Sequence, residues 1–156
     1  MSGLPTEVLA GERLLSGLPE GAVELVAGCA ELASFDAGSL LLREGDPAET
    51  LHLIRSGRVS IEVHGAGQEP HLIDTIGPGH LVGLSWLAPP RRWMFDARAL
   101  EPVRTVAIDA ARLHSSLEAN PEVGFALYER LLPDLLGRLQ STRLRLLDLY
   151  GHGRRL

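Results

Sequence analysis

The stretch "FDAGSLLLREGDPAETLHLIRSGRVSIEV" (residues 35–63) decides the fold. Its apolar residues come in short runs, "SLLLR", "TLHLIRS" and "RVSIEV", separated by turn residues. In "EGDPAE", Gly45 and Pro47 stand where a tight reversal needs an unusual φ and a fixed one, and Gly57 in "RSGRV" falls between two runs. Short alternating or β-branched runs at this spacing predict an antiparallel sandwich or barrel.

The same texture continues through "HLIDTI", "FDARAL" and "VRTVAI", with "GPGH" as a further break, so residues 34–110 are predicted to form a jelly roll. Ahead of it, residues 6–33 carry Leu, Ala, Val and Glu at helical spacing, broken by "SGLPEG", where Pro19 opens a second short helix. This predicts a lead of two amphipathic helices. Behind the jelly roll, Asn120 as N-cap, Pro121 at the first helical position and Glu122 in the first turn predict helices over 120–150. Pro133 is expected to kink this segment or divide it in two. Leu132, Leu135, Leu139, Thr142, Leu146 and Leu149 follow a three-four spacing, the seam of a coiled coil with one polar member, while Leu136, Leu144 and Leu147 are expected to face the barrel. The seam predicts a homodimer formed through the C-terminal helix. The fold class that results is mainly β with flanking helices, a double-stranded β-helix jelly roll in one domain over 1–156.

The totals agree with a single domain that needs no staple, since 156 residues bury a sizeable core. The one cysteine, Cys29, has no partner within the chain and reads as a small buried hydrophobe in a reducing, cytoplasmic setting. Neither a signal peptide nor a stretch long enough to span a bilayer is evident. With 20 acidic against 15 basic residues, the balance argues against a dedicated nucleic-acid binder. Arg138, Arg143, Arg145, Arg154 and Arg155 are spread along the last helix and tail, and read as a solvated face.

The order of helices, jelly roll and long leucine-rich helix resembles the cyclic nucleotide-binding domain of the catabolite-activator type. Within 35–63, Phe35, Gly38, Leu40, Glu44, Gly45, Asp46, Ala48, Leu51, Ile54, Gly57 and Val59 fall where that family has the same or a similar residue. "IGPGHLVG" resembles the approach to its phosphate-binding cassette, and "NPEVGFALYERLL" its first C-terminal helix, so the resemblance covers residues 8 to 150. It implies a regulatory module with a ligand pocket at the cassette. It also implies which residues to inspect. The family's cassette begins Gly-Glu, the glutamate taking the ribose hydroxyl, and ends with an arginine followed by small residues, the arginine and nearby amides holding the cyclic phosphate and the small residue making room for it.

Gly83 matches the glycine, but Leu84 stands in the glutamate position, with Ser85 beside it as a partial replacement. Trp93 falls on the arginine position and Phe95 on a small one. Two readings stay open. A one-residue gap brings Arg92 to the phosphate site, with Arg91 as the fallback, and the cassette then binds a cyclic nucleotide or another phosphate. Alternatively Trp86, Pro89, Pro90 and Trp93 plug the barrel mouth while the arginines pair with Asp96 or Glu101. Thr142 in "RLQST" resembles half of the Thr-Ser pair with which the family reads adenine, Arg143 replacing the serine.

The leading expectation is therefore a stand-alone regulatory or ligand-sensing module, weak or inert towards cyclic AMP and cyclic GMP. It is not expected to be an enzyme, to carry a cofactor, or to bind DNA directly, because no helix-turn-helix follows the long helix. A second class is a protein-protein interaction domain whose closed pocket is core and whose aromatic lip or leucine seam meets a partner. A third is a cupin-like metalloenzyme, disfavoured because the six histidines contain no His-X-His pair and only His52, His64 and His71 can approach one another.

Overall fold

The computed structural model describes residues 3–65, 67 and 69–152. Among these, the strands are β1 (Ala30–Phe35), β2 (Leu40–Leu42), β3 (Thr50–Ser56), β4 (Val59–His64), β5 (Pro70–Ile76), β6 (Leu81–Val82), β7 (Asp96–Ala99) and β8 (Val103–Asp109). They form two antiparallel sheets in the orders β1-β8-β3-β6 and β2-β7-β4-β5, the interleaving of a jelly roll. Helices α1 (Thr6–Leu9) and α2 (Ala22–Ala27) precede the strands, and α3 (Ala110–Ala119) and α4 (Pro121–His152) follow them.

The turns follow from residues already singled out. Gly45, Gly57 and Gly79 all have φ near +88° or +87°. At Gly57 the constraint is also steric, since a Cβ there would collide with the Pro102 carbonyl oxygen, so the β3–β4 reversal admits no side chain. β3 is buried over four successive residues because the first sheet carries helices on its outer side; Leu51 and Leu53 line a small apolar cavity with Leu14, Leu113 and Leu127. His52, on the other face, is buried beside the edge of Phe35, and its Nδ1 lies 3.0 Å from Thr105 Oγ1. Burial with one neutral partner lowers its pKa to about 4.

The helical lead is shorter than the sequence suggests. The 6–33 segment holds α1, a 3-10 turn at Arg13–Leu15 and the six-residue α2, and from Ala30 the chain is strand. Ala30–Phe35 pairs residue for residue with β8, Ala30 opposite Ile108 and Phe35 opposite Val103. Tertiary pairing overrides the local preference of this Ala- and Leu-containing run. A second difference is α3, which takes residues left between the jelly roll and the C-terminal helices. Asp109 caps it by accepting from the Arg112 N–H at 3.0 Å. Asn120 does precede α4, but its side chain donates to the Ser116 carbonyl and closes α3.

α4 is one helix with Pro133 inside it, so the proline does not divide it. Its inward row begins with buried Val123, Leu127 and Leu131. Continuing at three- and four-residue steps, this row reaches Leu135, Arg138 and Thr142. Leu136, Leu144 and Leu147, expected against the barrel, are instead 60%, 52% and 66% exposed, because they fall away from that row. Arg138 is likewise not a solvated residue. It is half-buried and donates to the Leu81 carbonyl at 2.8 Å. Arg145 reaches the Ile73 carbonyl and the Asp74 carboxylate, while Arg154 and Arg155 lie outside the described residues.

Candidate functional site

A cleft of about 360 Å3 opens between the second sheet, the 83–95 segment and α4. Strands β4 and β5 contribute Ile61, Ile73 and Asp74. The cassette-like segment contributes Leu84, Ser85, Met94 and Phe95, and α4 contributes Leu135, Arg138, Leu139 and Thr142. A second cleft of about 520 Å3 lies on the far side of Asp74 and Arg138, between the β5–β6 turn and α4, where His80 Nδ1 stands 3.3 Å from Asp134 Oδ2.

The local backbone explains which cassette residues reach the first cleft. Gly83 has φ +115°, a conformation open to glycine, and starts a 3-10 turn over Leu84–Leu87 that directs Leu84 and Ser85 to the cleft wall. A Cβ on Gly83 would lie 2.9 Å from the Trp93 ring, so the glycine also makes room for the indole. Beyond the turn the chain is drawn away. Ala48 N–H donates to the Arg91 carbonyl, Trp93 N–H to the Asp46 carbonyl, and Gly45 N–H to the Trp93 carbonyl, which lays residues 91–93 along the 45–48 turn.

The two arginines are therefore spent elsewhere. Arg91 Nε donates to the Trp86 carbonyl at 3.1 Å and Arg92 Nη1 to the Gly45 carbonyl at 2.9 Å; neither lines the cleft. Nor do they pair with Asp96 or Glu101. Asp96 is buried, accepts from the Glu44 N–H at 2.7 Å and faces His64 at 3.6 Å. The tryptophans form no lip over the mouth. Trp93 is 4% exposed and Trp86 1%, both in the core, the latter tilted against Tyr128 with ring centroids 6.2 Å apart. Trp86 Nε1 is buried without a hydrogen-bond partner among the described residues.

Of the residues singled out from the sequence, Leu84, Ser85 and Thr142 thus come together in the cleft, Gly83 shapes its wall, and Arg91, Arg92 and Trp93 stand apart from it. Two polar residues were missed. Arg138 is the cation of the cleft; burial lowers its pKa from the ordinary arginine value, while Asp74 and Asp134 oppose that fall. Among the described residues Asp74 is the one acid of the cleft wall, its Oδ1 3.5 Å from Arg145 Nη2. The signal for Arg138 was its place on the row of Leu131, Leu135 and Thr142. Asp74 gave none beyond a polar residue in a strand.

The histidines are dispersed. His52 belongs to the first sheet, whereas His64 and His71 lie in the second, on β4 and β5. Among the described residues no group of three or more His, Cys, Asp and Glu side chains is placed to hold a metal ion. No helix among them is long and apolar enough to cross a membrane.

Comparison with known proteins places this geometry. Residues 32–120 match the family model described as the cyclic nucleotide-binding domain. The CRP-like cAMP-activated global transcriptional regulator of Mycobacterium tuberculosis is 28% identical over 143 residues, 92% of this chain and 62% of the relative, so the chain spans about three fifths of that protein's length. A crystal structure named as a cyclic nucleotide-binding protein from Geobacter metallireducens has a TM-score of 0.76 at 29% identity and covers 87% of this chain and 98% of its own. The catabolite activator protein of Thermus thermophilus has a TM-score of 0.68 at 24% identity, covering 88% of this chain and 62% of its own.

Proposed function

Because the chain belongs to the cyclic nucleotide-binding domain family, we propose that it is a regulatory, ligand-sensing module whose cleft has lost most of its affinity for cyclic AMP and cyclic GMP. The observation that carries this reading is the placement of Arg91 and Arg92 on backbone carbonyls outside the cleft. A cyclic phosphate in the cleft would face Leu84 and Phe95 and no cassette guanidinium. Losing one charge-assisted contact costs about 2 kcal/mol, and losing the ribose acceptor at Leu84 adds to it. Together these weaken binding by roughly two or more orders of magnitude relative to an intact cassette.

The output of such a module is protein association rather than catalysis. On α4, Leu132, Leu136, Leu139 and Leu146 are about half exposed or more, and Leu149 is 71% exposed. This much apolar surface on one helix supports a homodimer through α4. The module works in the cytoplasm, in the reducing setting that a lone Cys29 suits.

Calorimetric titration of the chain with cyclic AMP and cyclic GMP tests the reading. No saturable heat is expected at micromolar concentration. A micromolar dissociation constant that vanishes in Arg92→Ala would overturn it, since Arg92 would then have left Gly45 for the phosphate.

A further inference from the structure

We propose that the cleft between β4, β5, residues 83–95 and α4 takes a neutral, mostly apolar molecule of one or two rings that carries a hydroxyl group. This rests on the reading of the cleft as the module's ligand site, and names the chemistry that site selects.

The walls set the apolar part. Ile61, Ile73, Met94, Phe95, Leu135 and Leu139 line the cleft, and Ile73, Met94, Leu135 and Leu139 are 42% to 66% exposed. Apolar side chains converging on a concave site release water when a ligand covers them, which favours an apolar occupant. The Phe95 ring and the polarisable Met94 thioether suit a flat ring between the cassette and α4.

The charges favour a neutral occupant over an ion. Arg138 is the cation of the cleft, but it is committed to the Leu81 carbonyl and stands among the Asp74 and Asp134 carboxylates. Asp74 in turn is held by Arg145. Asp134, beyond the cleft lining, is 3.3 Å from His80 Nδ1. An ion of either sign entering here gives up its water and meets one like and one unlike charge on the walls, Asp74 and Arg138, so attraction to one is offset by repulsion from the other. A neutral molecule pays neither penalty.

The hydroxyls set the polar part. Thr142 Oγ1 donates its proton to the Arg138 carbonyl at 2.9 Å and so offers lone pairs alone. A ligand hydroxyl can donate to it. Ser85 supplies a second hydroxyl on the cassette wall.

The test is calorimetric titration of the full chain with 1-naphthol, with 1-naphthoate, its anionic counterpart of similar size, and with cyclic AMP. 1-Naphthol should bind saturably and about tenfold more tightly than 1-naphthoate, the difference being the cost of desolvating a charge without a free counterion. Met94→Glu, at an exposed position of the cleft mouth, should weaken 1-naphthol by about tenfold. Thr142→Val, also exposed, should weaken it by about fivefold through the lost hydrogen bond. Tighter binding of 1-naphthoate would overturn the charge argument. Binding of 1-naphthol that neither variant alters would place it outside the cleft and overturn the proposal. Absence of 1-naphthol binding would overturn the proposal alone, leaving the weak-nucleotide reading standing, whereas micromolar binding of cyclic AMP would overturn both.

Discussion

Trp93→Arg restores an arginine where the family alignment expects one, and the structure says that it should destroy the protein rather than restore a phosphate site. The indole is 4% exposed and sits against Gly83, 2.9 Å from where a Cβ on that glycine would lie. Its backbone is fixed on both sides, N–H to Asp46 and carbonyl to Gly45, so the side chain cannot swing towards the cleft without breaking the 45–48 turn. Removing a buried indole costs about 3–5 kcal/mol. A guanidinium in the same space adds the cost of an unpaired buried charge. Against a total stability of about 5–15 kcal/mol, the variant should be largely unfolded or lose about 2 M in its urea midpoint, taking a slope of about 2 kcal/mol per M. Urea unfolding followed by circular dichroism measures this, with Trp93→Phe as a milder control. A folded Trp93→Arg protein losing less than about 1 kcal/mol, or one that binds cyclic AMP at micromolar concentration, would refute the placement of Trp93 in the core.

Three further perturbations probe other parts of the account. Gly83→Ala strains a φ of +115° and drives a methyl into the Trp93 ring, so about 2 kcal/mol or more should be lost in the same unfolding assay; a neutral change would contradict the turn geometry. His52 has a folded pKa of about 4 against 6.5 unfolded, so the unfolded chain binds more protons between these values. Stability should therefore be level above pH 6.5 and fall as pH drops towards 4, by up to about 3 kcal/mol, and His52→Leu should flatten that fall; equal slopes would contradict it. Leu139→Glu with Leu146→Glu, at positions 46% and 48% exposed, should leave a folded monomer in sedimentation. An unchanged dimer would move the interface off α4.

The jelly roll was legible because its turns are dictated by chemistry, with Gly45, Gly57 and Gly79 each at positive φ where the sequence marks a reversal. β1 was not, because Ala30–Phe35 is made a strand by β8, more than sixty residues away along the chain. In the site, Gly83, Leu84, Ser85 and Thr142 could be placed because each sits on an element with a fixed direction. Arg91 and Arg92 could not, since their orientation depends on backbone bonds to residues 45–48, a contact invisible to any local pattern. The inward face of α4 also waited on the structure: leucines occur nearly all round the helix, and only burial of Leu127 and Leu131 shows which row points to the barrel.

Arg91 and Arg92 are held on backbone carbonyls outside the cleft, and an amide-resolved NMR titration tests most directly whether they stay there in the presence of cyclic AMP. Cyclic AMP added to about 1 mM should produce no saturating shifts at Arg91, Arg92 or their hydrogen-bonding partners Gly45 and Ala48. Saturating shifts centred on Arg91, Arg92 and Gly45 at micromolar cyclic AMP would contradict it, because they would show the arginines released from their carbonyls to hold the phosphate.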